Sequence, residues 1–168
     1  SAWVANYPEG VGRYDLETGD FLGSIPASTE ICLAMDQGFA SLWVGDCVNN
    51  TIVRVNAATG EVAARIALPF DELPNESSVA AGEGGVWVLS KRTYPYPDLV
   101  RIDPATNEVA ETFPAPSEAT AVRAGEGALW VTLEAETLYD CAADAGTTGG
   151  VWQNDLRYDD VRVEQRSG

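Results

Sequence analysis

Short runs of alternating apolar and polar residues fill the chain, and clusters of Gly, Pro, Asn and Asp separate them. In "VRVNAATGEVAARI" (53–66), apolar residues take every second position on both sides of a central turn. A period of two residues on both sides of a turn predicts a β-hairpin rather than a helix. Asn56 can bond its own backbone to start the turn, and Gly60 supplies the positive φ that closes it.

The same hairpin occurs twice more, as "RYDLETGDFLGSI" (13–25) and "RIDPATNEVAETF" (101–113). In the last copy Asn107 stands where the other copies have Gly, and Asn is the next best residue for a left-handed backbone position. The pattern therefore predicts three hairpins of one design.

Trp3, Trp43, Trp87 and Trp130 are spaced by 40, 44 and 43 residues, each inside a short apolar strand. Before the last three comes another strand that ends in a Gly-rich turn. Four strands in each period of about 40 residues are typical of a β-propeller blade. A meandering β-sandwich is the alternative, since short strands at regular spacing fit that fold too.

We label the strands of a blade a (inner), b (with the Trp), c and d (outer). The prediction is an all-β propeller with four blades of four-stranded antiparallel sheet, the first lacking its inner strand. The repeats span about 1–27, 28–69, 70–115 and 116–168. Arg157, Tyr158 and Asp159 in "LRYDDVRVEQRSG" (156–168) are aligned with Arg13, Tyr14 and Asp15, after an insertion at 134–150.

Four blades with one strand missing predict part of a seven- or eight-bladed ring. The rest would come from a second chain or from sequence outside these residues; a two-fold dimer that forms an eight-bladed ring is the alternative.

The connections divide by length between the two faces of this ring. Propeller strands alternate in direction, so the a–b and c–d turns share one face and the b–c and d–a loops share the other. The a–b and c–d turns are short, whereas the other connections are long and irregular, which predicts a binding face there.

The long loops are rich in aromatic and acidic residues, which suit carbohydrate rings or a basic protein surface. The alternative is that the aromatic side chains pack on their neighbours and the acids are solvated. The candidate ligand-binding residues are Tyr7, Glu9, Asp46, Phe70, Tyr94, Tyr96, Asp98, Glu134 and Tyr139.

The net charge of the chain and the residue types that it lacks argue against several classes of function. The formal net charge of −16 disfavours nucleic acid and anionic membranes as partners. No apolar run approaches the roughly 20 residues of a membrane helix, so no membrane insertion is expected, and no signal-peptide pattern occurs. With no His and no nucleophile motif, the chain alone is not expected to be an enzyme.

No cofactor is predicted, but Glu30 and Glu118 begin inner strands near the expected channel mouth. Carboxylate oxygens there could hold Ca²⁺ or Mg²⁺.

"LWVGDCVNNTIVRVNAATGEVAARI" and "GVWVLSKRTYPYPDLVRIDPATNEVAETF" resemble the YVTN/NHL-type propeller repeats, and most closely streptogramin (virginiamycin B) lyase-like propellers. The resemblance covers nearly all residues except the 134–150 insertion, and it implies a disulfide between Cys32 and Cys47. A disulfide implies an oxidising compartment, so a secreted or periplasmic protein is expected.

Three functions stay open at this point. The first is an extracytoplasmic binding or scaffold module that uses the long-loop face, with a protein partner or the remaining blades. The second is a lyase-like or esterase-like enzyme whose catalytic residues lie outside this chain. The third is a carbohydrate-binding, lectin-like propeller.

Overall fold

The computed structural model describes residues 1–6, 10–25, 31–71, 73, 78–90, 97–133, 136–137, 147–148 and 151–155. The described residues are all-β. Their strands, in chain order, are β1 (Ala2–Asn6), β2 (Gly10–Tyr14), β3 (Phe21–Ile25), β4 (Ile31–Gly38), β5 (Ser41–Asp46), β6 (Thr51–Asn56), β7 (Val62–Ala67), β8 (Val79–Gly82), β9 (Gly85–Leu89), β10 (Asp98–Asp103), β11 (Glu108–Pro114), β12 (Ala119–Gly125), β13 (Ala128–Leu133), β14 (Glu136–Thr137), β15 (Thr147–Thr148) and β16 (Val151–Asp155).

These strands form consecutive propeller blades, as predicted. Blade 1 has the sheet order β1-β2-β3, which are strands b, c and d. Blade 2 is β4-β5-β6-β7 and blade 3 is β8-β9-β10-β11, each a complete a-b-c-d set. Blade 4 contains β12-β13-β16, and the small β14-β15 sheet lies inside the predicted insertion. Each described pairing is antiparallel and stays within one blade, so the strands form successive separate small sheets, as in a propeller, and not the two large facing sheets of a sandwich.

The register of blade 4 corrects the alignment of the fourth repeat. In the first three blades the b-strand Trp pairs with an Arg of strand c: Trp3 with Arg13, Trp43 with Arg54, and Trp87 with Arg101. In blade 4, Trp130 pairs with Gln153. Strand c is therefore Val151–Asp155, and the alignment of Arg157, Tyr158 and Asp159 with Arg13, Tyr14 and Asp15 was wrong. The register of strand c is shown by the residue that pairs with the Trp, and similarity of sequence to an earlier repeat does not predict it.

The hydrophobic core lies between blades. Trp43 shares a core with the b- and c-strand residues Val86, Val88, Val100 and Ile102 of blade 3. Trp87 shares a core with Val122, Leu129 and Val131 of blade 4. Trp3 packs on Leu42, Val44, Val53 and Val55 of blade 2. Each boundary therefore joins the Trp side of one blade to apolar inner strands of the next blade.

In blades 2, 3 and 4 the Trp side chain is also held within its own blade. The indole Nε1–H of Trp43, Trp87 and Trp130 donates to the carbonyl oxygen of the Gly that ends strand a, at 3.1 Å in all three cases. A buried indole N–H needs an acceptor, so the glycine carbonyl fixes the ring in the blade boundary.

Inner strands of neighbouring blades approach closely at small residues. A Cβ at Gly38 would lie 2.8 Å from the Cβ of Ala81, and one at Gly82 would lie 3.2 Å from that of Ala124. The carboxylate of Asp36 also accepts a 2.8 Å hydrogen bond from the amide of Ala81. Glycine at these positions lets the a strands converge.

Candidate functional site

Because neighbouring strands of a blade are antiparallel, the a–b and c–d turns lie at one end of each sheet and the b–c connections lie at the other. We call the side of the a–b and c–d turns the short-turn face and the opposite side the long-loop face. On the short-turn face, the amide of Ala57 donates to the carbonyl of Ala40 across blade 2, at 3.1 Å. The carboxylate of Glu83 accepts a 3.1 Å bond from the amide of Gly127 in the next blade. Turns on this face therefore bond to one another.

The c–d turns close in the same way in each described copy. The Oδ1 atom of Asp15 accepts from the amides of Glu17 and Thr18, at 2.8 and 3.0 Å. These backbone donors, the amide of Thr18 first and then that of Glu17, hold the pKa of the Asp15 carboxyl below its usual value of 3.8. Asn56 makes the equivalent bonds without a charge, at 2.9 and 3.1 Å. The side-chain oxygen atoms of Asp15 and Asn56 therefore accept hydrogen bonds within their own turns.

An arginine contact between blades was missed by the sequence analysis. The guanidinium carbon of Arg54 lies 4.8 Å from the ring centroid of Trp43, and Arg13 lies 5.3 Å from Trp3 in the same way. Arg13 continues to the carbonyl of Ala58 in blade 2, at 3.3 Å. The available signal was the Arg that opens each of the first three hairpin copies. We call this arrangement the inter-blade Arg contact.

On the long-loop face, most predicted binding residues lie outside the described residues. This holds for Tyr7, Glu9, Glu30, Tyr94, Tyr96, Glu134 and Tyr139. The strands that flank their loops are described, and they end on this face. The binding role of these residues stays a prediction.

Asp46 ends strand b of blade 2 and is fully buried, with 0% relative exposure. Its carboxylate accepts hydrogen bonds from the amide and the side-chain Nδ2 of Asn49, at 3.1 and 2.9 Å. Arg65 Nη1 lies 3.6 Å from Asp46 Oδ2. Burial and these partners give Asp46 a role in shaping the b–c turn, and the carboxylate does not face solvent as an exposed ligand would.

Phe70 is also buried, and it belongs to the core between blades 2 and 3. Its carbonyl accepts a hydrogen bond from Asn50 Nδ2. The ring therefore anchors the d–a loop and offers no open platform to a sugar or a partner.

Asp98 starts strand c of blade 3 and is half-buried. Its amide donates to Ser90 Oγ at 2.7 Å, and its carbonyl accepts from the amide of Ser90 at 2.8 Å. The pair closes the base of the 91–96 loop, so the loop that carries Tyr94 and Tyr96 starts from a fixed base.

Glu118, at the start of an inner strand, is half-buried and accepts a hydrogen bond from Ser117 Oγ. Within the part of the chain that the structure describes, no group of three or more His, Cys, Asp or Glu is placed to hold a metal ion. Ca²⁺ or Mg²⁺ binding at Glu30 and Glu118 stays a prediction.

Cys47 is disulfide-bonded. Ile31 pairs with Asp46 in the register of β4 and β5, which puts Cys32 of β4 diagonal to Cys47, the residue directly after β5. The side chains of Cys32 and Cys141 lie outside the described residues, so the partner of Cys47 stays a prediction.

In the described ranges no helix has both the length and the apolar character to span a membrane.

Comparison with known proteins supports the fold. No family model and no curated protein matches the chain. Solved structures do match: hydrazine synthase of Kuenenia stuttgartiensis (15% identity, TM-score 0.72), the Pan2 WD40 domain of Neurospora crassa (12%, 0.65) and BamB of Moraxella catarrhalis (11%, 0.59). They cover 98, 95 and 96% of this chain, which spans 50, 47 and 45% of theirs. The chain thus folds as propeller blades and spans about half the length of these neighbours.

Proposed function

We propose that the chain is a binding or scaffold module of an extracytoplasmic β-propeller, and that it binds through the long-loop face. The proposal rests on a difference between the two faces in how their polar groups are bonded. On the short-turn face, described polar groups such as Glu83 and Arg54 bond to neighbouring turns. The irregular loops on the other face are free to vary without disturbing these contacts.

The proposed partner is a protein with a basic, partly apolar surface. The chain carries 26 acidic and 10 basic residues, so long-range attraction favours a cationic partner. Tyr94 and Tyr96 supply the aromatic anchors that are enriched in protein interfaces. Phe70 and Asp46 are buried and are therefore not counted among the proposed anchors.

The binding experiment removes the two aromatic anchors and measures the affinity for defined probes. A library of Lys- and Arg-containing peptides and a set of neutral oligosaccharides are titrated against the wild-type chain by calorimetry. The double variant Tyr94→Ala/Tyr96→Ala is expected to bind the selected peptide at least about tenfold more weakly. The matched control is Phe39→Ala, which removes an exposed aromatic side chain from the short-turn face.

Each outcome decides the proposal. Loss of binding in the tyrosine variant alone supports it. Loss in Phe39→Ala with full binding in the tyrosine variant places the partner on the short-turn face and overturns it. Binding of oligosaccharides but of no peptide favours the lectin-like alternative over a protein partner.

Residence in a secreted or periplasmic compartment is part of the proposal, and the disulfide of Cys47 supports it. We propose Cys32 as the partner. Thiol counting under denaturing, non-reducing conditions should find one free thiol in the wild type, and none in Cys141→Ser. Two free thiols in Cys32→Ser complete the expected pattern, and a Cys141 that is protected from alkylation contradicts it.

A further inference from the structure

The b–c turn of blade 2 (46–51) is held in a fixed shape on the long-loop face. Asp46 at its start is fully buried, and its carboxylate accepts hydrogen bonds from the amide and the side chain of Asn49. Cys47 is disulfide-bonded, and Asn50 has a left-handed backbone with a φ of 49°. These constraints order the turn before any partner binds.

Asn50 also joins this turn to the loop that leads from blade 2 to blade 3. Its carbonyl accepts a 3.2 Å hydrogen bond from the amide of Leu68, and its Nδ2 donates to the carbonyl of Phe70. Cys47 Sγ lies 3.7 Å from the carbonyl oxygen of Leu73. Leu68, Phe70 and Leu73 are buried in the core between blades 2 and 3. The turn and the start of the loop therefore form one unit that is anchored in the core.

This unit exposes two apolar side chains and one acidic side chain. Val48 at the tip of the turn is 56% exposed. Pro69 lies between the two loop residues that bond to Asn50, and it is exposed. Asp71, the next residue after that bonded pair, is exposed too. We call the b–c turn together with Pro69 and Asp71 the Val48 platform.

The charges at the Val48 platform favour a cationic group on the partner. Arg65 of the neighbouring outer strand directs its positive charge at the buried carboxylate of Asp46, with 3.6 Å between Nη1 and Oδ2. Asp71 presents its carboxylate to solvent, on a chain with a formal net charge of −16. An Arg or Lys side chain is the complementary group.

The fixed shape of the turn distinguishes Val48 from an ordinary exposed apolar residue. Single exposed valines are common on protein surfaces and need no explanation. A partner that binds a flexible loop has to order that loop, which costs affinity, whereas the backbone around Val48 is already ordered. A preorganised apolar side chain beside a charge has the properties of an interface anchor.

We propose that the Val48 platform binds the protein partner together with the 91–96 loop, and that the partner places an apolar side chain on Val48 and an Arg or Lys side chain against Asp71. This inference rests on the proposed use of the long-loop face, and it names the segment that is recognised: an apolar residue next to a basic one. The 91–96 loop with Tyr94 and Tyr96 joins the same two strands of blade 3. A partner that covers both loops contacts neighbouring blades.

The experiment tests the apolar contact from both sides of the interface. The probe is a peptide with Leu next to Arg, chosen from the Lys- and Arg-containing library for its binding to the wild type, together with a version that has Ser in place of Leu. In calorimetry, Val48→Ser should weaken binding of the Leu–Arg peptide at least about fivefold and should leave binding of the Ser version unchanged. Leu16→Ser is the matched control, because Leu16 is 72% exposed at a tight turn on the short-turn face.

A charge reversal tests the contact with Asp71. Asp71→Arg should weaken binding of the Leu–Arg peptide and should strengthen binding of a version with Glu in place of Arg. Both effects should shrink at high salt, because the carboxylate of Asp71 is exposed. A gain for the Glu version is a result that damage to the fold would not produce.

The outcomes separate this inference from the proposed function. Full binding in both Val48→Ser and Asp71→Arg overturns the platform, and if Tyr94→Ala/Tyr96→Ala still weakens binding, the proposed function stands without it. Equal losses in Val48→Ser and Leu16→Ser also overturn the platform, as does a wild-type chain that binds no Leu–Arg peptide. Should Val48→Ser lower the thermal unfolding midpoint, Val48→Thr keeps the branched shape and provides the same test.

Discussion

Arg54 in blade 2 joins Trp43 of its own blade to the c–d turn of blade 3. Its guanidinium carbon lies 4.8 Å from the Trp43 ring centroid. Its Nη1 donates to the carbonyl of Pro104 at 2.6 Å and to Asn107 Oδ1 at 2.7 Å. One side chain therefore ties the core of a boundary to its rim.

Replacement of Arg54 should destabilise the fold strongly. Charged hydrogen bonds and a partly desolvated cation–π contact together predict a loss of about 3 kcal/mol for Arg54→Ala. Arg54→Lys should recover less than half, because an ammonium cannot stack and fork as a guanidinium does. Urea unfolding midpoints measure both. Full stability in Arg54→Lys would contradict the role of the guanidinium.

Substitutions in the a–b turn of blade 2 should increase the stability of the fold. Phe39 and Ala40 both have a φ of 53°, where the next two blades have Glu-Gly pairs. A left-handed backbone costs a non-glycine residue about 1–2 kcal/mol, so Phe39→Glu/Ala40→Gly should raise the stability by at least about 1 kcal/mol. Thermal unfolding measures the gain. The reverse substitution Gly84→Ala, at a φ of 77°, should lower the melting temperature; a gain there would refute the explanation.

Close approach of the inner strands predicts a position-dependent cost for alanine. At Gly38 the added Cβ would lie 2.8 Å from that of Ala81, so Gly38→Ala should cost about 1–3 kcal/mol. Gly125, at the matching end of β12, has no described atom within 4 Å of an added Cβ, and Gly125→Ala should be neutral or slightly stabilising. Equal effects in guanidinium unfolding would show that strand convergence is not the cause.

Asp15 should contribute stability that disappears in acid. The pKa of Asp15 in the folded chain lies below the usual value of 3.8, so the unfolded chain binds the proton more readily. The contribution is complete above pH 3.8 and is lost as pH falls through the lowered folded pKa. Asp15→Asn keeps the turn geometry, as Asn56 shows, but carries no charge.

The measurement is the urea midpoint of wild type and Asp15→Asn between about pH 5 and about pH 2. The variant should lose less stability than the wild type across this interval. Parallel curves for Asp15→Asn and wild type would rule out the proposed linkage.

The blades were predictable because their signals are local. A Trp every 40 to 44 residues, period-two strands and turn glycines each specify a strand or a turn without reference to the rest of the chain. Asn107 was predicted to replace glycine in a left-handed position, and its φ of 61° confirms this. The alignment of the fourth repeat was wrong, because Arg157 and Tyr158 have the same residue types as Arg13 and Tyr14 of the first hairpin. The residue that pairs with Trp130 is Gln153.

The site was less predictable, because burial is a property of the assembled blades. In the sequence, Asp46 and Phe70 are at loop positions. In the structure, Phe70 is buried in the core between blades 2 and 3, and the carboxylate of Asp46 accepts a hydrogen bond from Asn49 in the b–c turn. The inter-blade Arg contact was equally hidden, since Arg54 and Asn107 lie 53 residues apart and meet only when two blades stack.

The strand-c arginines have a mechanical consequence. Arg13 and Arg54 each donate to a turn of the next blade, whereas the described partner of Arg101 is Glu111 of its own blade. The boundary between blades 2 and 3 is therefore reinforced by a charged link that the described boundary between blades 3 and 4 does not show. In denaturant, the propeller should separate between blades 3 and 4 before it separates between blades 2 and 3.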